Sequence, residues 1–206
     1  NKLSKVYRIT SKFKPNAWYP KASHPNKNIK QAISKLVKLH KNKKIGIITF
    51  KEFCEYYSTI NGKKYPCLHF GNLRSSNKLA NVDVLIIVGT YQVNLNDLDN
   101  LYSLYFNQYA LPISEKQKEG GYKFYNKNLQ ILNHALSELE MQQAIHRCRP
   151  LQNNRIIYVF GLVPKQARQE LTYKKINNVD VLIVQNWLES LLKKNKEIHY
   201  RLSLIH

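Results

Sequence analysis

KIGIITF, residues 44–50, is a short unbroken apolar run, the mark of a β-strand covered on both faces. Its neighbours decide what kind of sheet it belongs to. Upstream, Ile29, Ala32, Ile33, Leu36 and Leu39 fall on one stripe of a helix, with Asn28 as its expected cap. Downstream, KEFCEYYSTI reads as a second helix, stopped by Asn61-Gly62. CLHF (67–70) is the next short strand, and beyond the polar stretch GNLRSSNKLANV comes DVLIIVG (83–89), the most hydrophobic strand in the chain. Residues 94–110 predict an aromatic-rich helix, and 113–127 a loop or hairpin turning at Gly120-Gly121. A long helix from Asn128 to Arg147 then leads into RIIYVFG (155–161), another buried strand. Strands alternating with helices imply right-handed crossovers, and hence an α/β fold with a mainly parallel, doubly wound sheet flanked by helices.

The two ends read differently. Residues 1–26 contain Pro15, Pro20 and Pro25 without a clean period and read as a basic arm or linker. Residues 27–163 form the expected main domain. Residues 164–206 are a small C-terminal α/β extension, in which DVLIVQ (180–185) would supply a strand and NWLESLLKKN a helix. The chain begins at Asn1 and is read as a fragment of a longer protein. At 206 residues it can bury the core of one α/β domain. It holds no apolar run of membrane-spanning length, and its first residues lack the apolar core of a signal peptide, so a cytoplasmic location is expected. Cys54, Cys67 and Cys148 are odd in number and out of metal-ligand spacing; they are expected to be reduced, small hydrophobes rather than disulfides or zinc ligands.

Charge is a stronger signal. Lys and Arg total 33 against 13 acids, a net +20. Residues 1–64 hold 16 basic and 2 acidic side chains, so +14 sits in that stretch. A field of this size favours polyanions, of which nucleic acid is the commonest. The plain alternative is a solvated lysine-rich surface.

Function concentrates in Gln143-Ala144-Ile145-His146-Arg147-Cys148-Arg149-Pro150. Gln143 and Arg147 are four apart and share a helical face, while Ala144 and Ile145 turn to the core. Pro150 disfavours helical geometry at the preceding residue, so Arg149 is expected in extended chain just past the helix. Two guanidiniums beside an amide suit a polyphosphate, because each fork binds oxygens bidentately and keeps its charge. The alternative is a basic helix end complementing its own macrodipole. Ligands of such sheets bind at the carboxyl ends of the strands. Thr49, Phe50 and Lys51, then GNLRSSN, then Gly89, Thr90 and Tyr91 occupy those ends.

The order of segments over residues 28–161 resembles the second RecA-like domain of superfamily 2 helicases, closest to divergent plasmid- and virus-encoded members. KIGIITF is similar to the strand opening that domain. Arg74-Ser75-Ser76-Asn77 stands where the family carries an Arg-x-Gly-x-Asp-like turn touching nucleotide and nucleic-acid backbone, with Ser76 in place of a frequent glycine. Gln143 and Arg147 match the glutamine and first arginine of the family's arginine-finger helix. His146 replaces the usual glycine, and Arg149 follows at a spacing of two rather than three.

The resemblance implies the C-terminal motor half of an ATP-dependent helicase or translocase. Arg147 and Arg149 would act on the γ-phosphate, Gln143 would bridge water, phosphate or arginine, and Arg74, Ser75, Ser76 and Asn77 would sense nucleotide. Thr49, Lys51, Thr90 and Tyr91 would hold a single-stranded or forked nucleic acid, DNA before RNA, by its phosphates. No G-x-x-x-x-G-K-[ST] phosphate loop is present, so ATP and Mg²⁺ would be held mainly by a missing N-terminal RecA-like domain. Tyr56, Tyr57, Tyr102 and Tyr105 are read as packing residues before base-stacking ones. A non-catalytic nucleic-acid-binding α/β module of a replication protein is the alternative. A nuclease is disfavoured, because Asp97 and Asp99 are two apart and point to different helical faces.

Overall fold

The computed structural model describes residues 4–10, 25–74, 76–107, 114–116, 122–186, 188–189 and 192. In chain order these are β1 (Lys5–Ile9), α1 (Lys27–Leu39), β2 (Ile45–Thr49), α2 (Cys54–Ser58), β3 (Thr59–Ile60), β4 (Lys63–Lys64), β5 (Cys67–His69) and β6 (Val84–Val88). Then follow α3 (Leu95–Phe106), β7 (Ser114–Lys116), β8 (Tyr122–Phe124), α4 (Lys127–His146), β9 (Ile156–Phe160), α5 (Lys165–Glu170) and β10 (Thr172–Ile176). Residues 179–186 are helical.

Six strands pair in one sheet, in the order β10-β1-β9-β6-β2-β5, and every pairing is parallel. This is the doubly wound α/β class expected from the alternation of runs. Side-chain period assigns the two faces. Ile45, Ile47, Val84, Ile86, Tyr158 and Phe160 meet Ile29, Ile33 and Leu36 of α1, together with Val179 and Leu182. Ile48, Leu85, Ile87, Ile157 and Val159 meet Met141, Ala144 and Ile145 of α4, Ala167 of α5, and Leu73, Leu79 and Val82 of the segment before β6. That segment lies close on the sheet: a Cβ on Gly46 would stand 2.6 Å from Leu79.

The N-terminal stretch read as an arm is corrected by β1, which lies inside the sheet between β9 and β10. Its charges masked it. Lys5 and Arg8 flank a five-residue strand whose Val6 and Ile9 are fully buried, and the Arg8 Nε reaches out to donate to the Gly161 carbonyl. The C-terminal extension likewise joins the same sheet through β10, and DVLIVQ is helix rather than strand. Asn178 accepts from the Asp180 amide at 3.0 Å to start that helix, and burial of Val179 and Leu182 follows a helical spacing. Asn61-Gly62 does not stop a helix. With φ of 50° and 75° it makes the two-residue turn of the β3–β4 hairpin. The cap of α1 is Asn26, not Asn28. β7 and β8 pair antiparallel as the hairpin reading required, while Gly120-Gly121 lies outside the described residues.

Candidate functional site

The four residues expected to touch nucleic acid lie at or just past the carboxyl ends of β2 and β6, beside the end of β9. Thr49 is fully buried, and its hydroxyl has no hydrogen-bond partner among the described residues. Lys51 is exposed on the turn that follows. Gly89 has φ of 108° and sits so close under Phe50 that a Cβ there would stand 2.4 Å from the ring. Thr90 is 7 % exposed, and its Oγ1 accepts from the Leu162 amide at 2.9 Å. Gly161 makes that approach possible, since a Cβ would meet the Gly89 carbonyl at 2.5 Å. Thr90 therefore joins two strand ends, and Tyr91 projects beyond it against Phe70, with ring centres 5.9 Å apart.

Between these strand ends and α4 lies a cleft of about 240 Å³, walled by Thr90, Tyr91, His134, Met141, Arg168 and others. The Tyr91 amide donates to the Met141 sulfur at 3.3 Å, fixing the loop to the helix. Burial, and to a lesser degree the nearby Glu140 and Asp97, raise the Tyr91 phenol above its usual range, so it stays a neutral donor.

The second cluster forms where α4 ends. Arg147 caps the helix with helical φ of −60°, and its Nη1 donates to the Ser76 carbonyl at 3.3 Å. The arginine helix and the 74–77 turn are thus in contact. Glu140, two turns earlier on the same face, accepts from the Gly71 amide at 2.8 Å and holds the start of the same segment. The Arg147 Nε and the Gln143 Oε1 are both shielded from solvent and without a partner among the described residues. No carboxylate forms an ion pair with Arg147 or Arg149 among the described residues. Orphaned polar atoms inside a protein carry a cost until a water or another group completes their hydrogen bonds.

Arg149 departs from expectation. It takes φ of 52°, a left-handed turn rather than extended chain, with its amide donating to the His146 carbonyl at 3.0 Å. Its side chain is exposed, and no hydrogen bond joins it to Arg147 or Ser76 among the described residues. Arg74 and Asn77 are exposed, and Ser75 lies outside the described residues.

The two clusters do not converge. Cys148, Pro150 and Arg155 lie at the amino ends of the strands, where the Ser4 Oγ donates to the Pro150 carbonyl and the Arg155 guanidinium holds Asp83 at 3.0 Å and the Cys148 carbonyl at 3.1 Å. Met141 touches the Tyr91 loop, and Arg147 lies six residues further along α4, about 9 Å at the helical rise. One face of the molecule therefore carries a strand-end cluster and an arginine cluster joined by the last two turns of α4 and the 71–77 segment.

Other sequence readings resolve as follows. Tyr57 and Tyr102 are each 3 % exposed and pack in the core, Tyr56 is half-buried, and Tyr105 is exposed. His146 is half-buried and packed between helices: its Nε2 lies 2.7 Å from the Gln142 amide nitrogen and 3.2 Å from Glu170, a network tying α4 to α5. Among the described residues no group of three His, Cys, Asp or Glu side chains stands where it could hold a metal, and no helix is long and apolar enough to cross a membrane. Glu140 escaped the sequence reading, because a carboxylate in an amphipathic helix reads as surface. Compared with protein-family models, curated proteins and solved structures, the chain matches none.

Proposed function

We propose that this chain is the second lobe of an ATP-driven nucleic-acid motor, supplying arginines to a nucleotide held mainly by another lobe. The observation that carries the reading is the Gln143–Arg147 pair. These side chains share one face of α4, each keeps a shielded polar atom without a partner, and the Ser76 carbonyl steadies the guanidinium. The Arg147 guanidinium fits an oxygen-rich ligand with several negative charges, because it presents two parallel donors and cannot be neutralised, while the Gln143 Oε1, an acceptor, fits the hydrogen of a water. A nucleoside triphosphate with its Mg²⁺ would supply the transferable phosphoryl group. Arg147 would stabilise charge there, Gln143 would orient water or phosphate, and Arg149, exposed on its left-handed turn, would approach from the rim. About 9 Å back along α4, past Met141, Lys51 and Tyr91 would track a strand backbone with Thr49 and Thr90 behind them. The 71–77 segment, tied at Gly71 to Glu140 and at Ser76 to Arg147, would report nucleotide state to the strand end.

The test is hydrolysis by the chain alone. Purified residues 1–206 should turn over no ATP above the spontaneous rate, with or without an oligonucleotide, yet should retain salt-sensitive binding to single strands. Robust hydrolysis by this chain would overturn the half-motor reading.

A further inference from the structure

A second surface lies on the opposite face of the sheet, where α1 meets the β3–β4 hairpin. Residues 25–64 hold ten lysines against two acids, Glu52 and Glu55, and neither acid forms a salt bridge among the described residues. The lysines are not spread evenly. Lys27, Lys30 and Ser34 follow one another along one face of α1 and border an open groove of about 350 Å³, closed on its far side by Tyr56 and Asn61. Hairpin residues Lys63 and Lys64 are exposed just past the Asn61-Gly62 turn.

The groove is built. Ile60 is 1 % exposed and roots the hairpin in the core under α1. The Ser34 Oγ donates to Asn61 at 3.4 Å, and the Asn26 amide donates to the Tyr57 hydroxyl at 2.9 Å. The Lys30 ammonium stands 4.0 Å over the Tyr56 ring and the Lys63 ammonium 5.5 Å over the Tyr65 ring. Two basic groups are spent on carboxylates, Lys35 on Asp180 and Arg155 on Asp83. Lys27, Lys30, Lys63 and Lys64 have no such carboxylate among the described residues.

We infer that this groove is a second nucleic-acid contact, taking the phosphates of a single strand on Lys27, Lys30, Lys63 and Lys64 with Tyr56 as a base platform. A concave basic channel floored by an aromatic ring is how sequence-independent single-strand sites are made, and a ring already carrying an ammonium can exchange it for a base as the lysine moves to a phosphate. A membrane is the weaker match. Interfacial binding needs exposed apolar side chains, and the large exposed ones lie on α3, α4, near them and towards the C-terminus, none within residues 25–64. The inference rests on the strand-binding half of the proposed function, not on ATP chemistry.

The experiment measures binding of a fluorescent oligo(dT) to the whole chain across a range of KCl concentrations. Each phosphate contact contributes about 0.7 to the slope of log K against log salt for a single strand, so K27Q/K30Q/K63Q/K64Q should lower the slope by about 3. A charge-matched control, K38Q/K41Q/K43Q/K44Q, removes four exposed lysines outside the groove and should lower it by less than about 1. Equal losses in the two variants would overturn the groove in favour of a diffuse field. Strand binding by the unaltered chain that the groove variant leaves intact would overturn the groove alone. No strand binding by the unaltered chain would overturn both the groove and the strand-gripping half of the proposed function. Groove-dependent sedimentation with phosphatidylserine vesicles, without oligonucleotide binding, would replace nucleic acid by a lipid surface. Unchanged circular dichroism in both variants keeps the comparison one of binding.

Discussion

Replacing Glu140 should loosen the proposed link between the two ends of the site. Its carboxylate is 8 % exposed and accepts from the Gly71 amide at 2.8 Å, pinning the start of the 71–77 segment to α4. A hydrogen bond to a charged group contributes about 1.5–3 kcal/mol net, and because Gly71 is exposed, water can take over its amide, which favours the lower figure. E140A should therefore cost about 1.5 kcal/mol. For a chain of this size that is a fall in Tm of roughly 3–6 °C. E140Q keeps an oxygen acceptor without its charge and should lose about half as much. Hydrogen exchange locates the effect. In E140A the amides of Gly71 to Asn77 should exchange faster, while those of β6 and β9 keep their protection until global unfolding. A Tm that rises, as burying an unneeded carboxylate would allow, or unchanged exchange at Gly71, would refute the tie.

Gly161→Ala would press a Cβ to 2.5 Å from the Gly89 carbonyl and 2.8 Å from the Thr90 hydroxyl; it should destabilise by about 1–3 kcal/mol in urea titration, and a neutral result would show that the two strand ends part easily. Alkylation should rank the thiols. Cys54 should react first, because its hydrogen bond with Cys67 and the nearby Lys78 lower its pKa against burial, while that same bond and burial raise Cys67, and burial pushes Cys148 up to about 12; mass spectrometry finding Cys148 labelled early would contradict its place in the core. Burial, and secondarily Lys43, hold His40 down to about 4, beside the Tyr158 hydroxyl at 2.8 Å. The unfolded chain takes up that proton first, so this contribution is complete above about pH 6.5 and is lost as pH falls from there towards 4, by at most about 3 kcal/mol. His40→Gln should flatten the difference in stability between pH 7 and pH 5, and an unchanged difference would assign it to other groups.

Much of the fold was legible because the buried parallel strands are continuous apolar runs. KIGIITF, DVLIIVG and RIIYVFG can be covered on both faces only in such a sheet, and all three are its central members. β1 and β10 were not legible. KVYRI and TYKKI are short, and their lysines and arginine sit where a strand end or sheet edge reaches water, so local composition resembles a linker. DVLIVQ misled in the other direction, since β-branched residues suit a strand, yet the capping Asn178 and a one-sided core made it helix. The Gln143–Arg147 face followed from helical spacing alone, but its contact with Ser76 did not, because no local pattern says which loop a helix end will meet. The left-handed Arg149 did not follow, because a residue before proline is pushed out of the helical region without being told where to go. The separation of Thr90 and Arg147 was implicit in the parallel topology, because a helix leading into a parallel strand must end at that strand's amino end, away from the strand ends that carry Thr90.

The most direct test changes Arg147 to alanine in the two-lobed motor proposed above. ATP turnover should fall by on the order of 10³-fold or more, while affinity for a single strand stays within about twofold. Hydrolysis that survives the substitution, or strand affinity that falls in step with it, would contradict a guanidinium aimed at nucleotide and assign Arg147 to the nucleic acid instead.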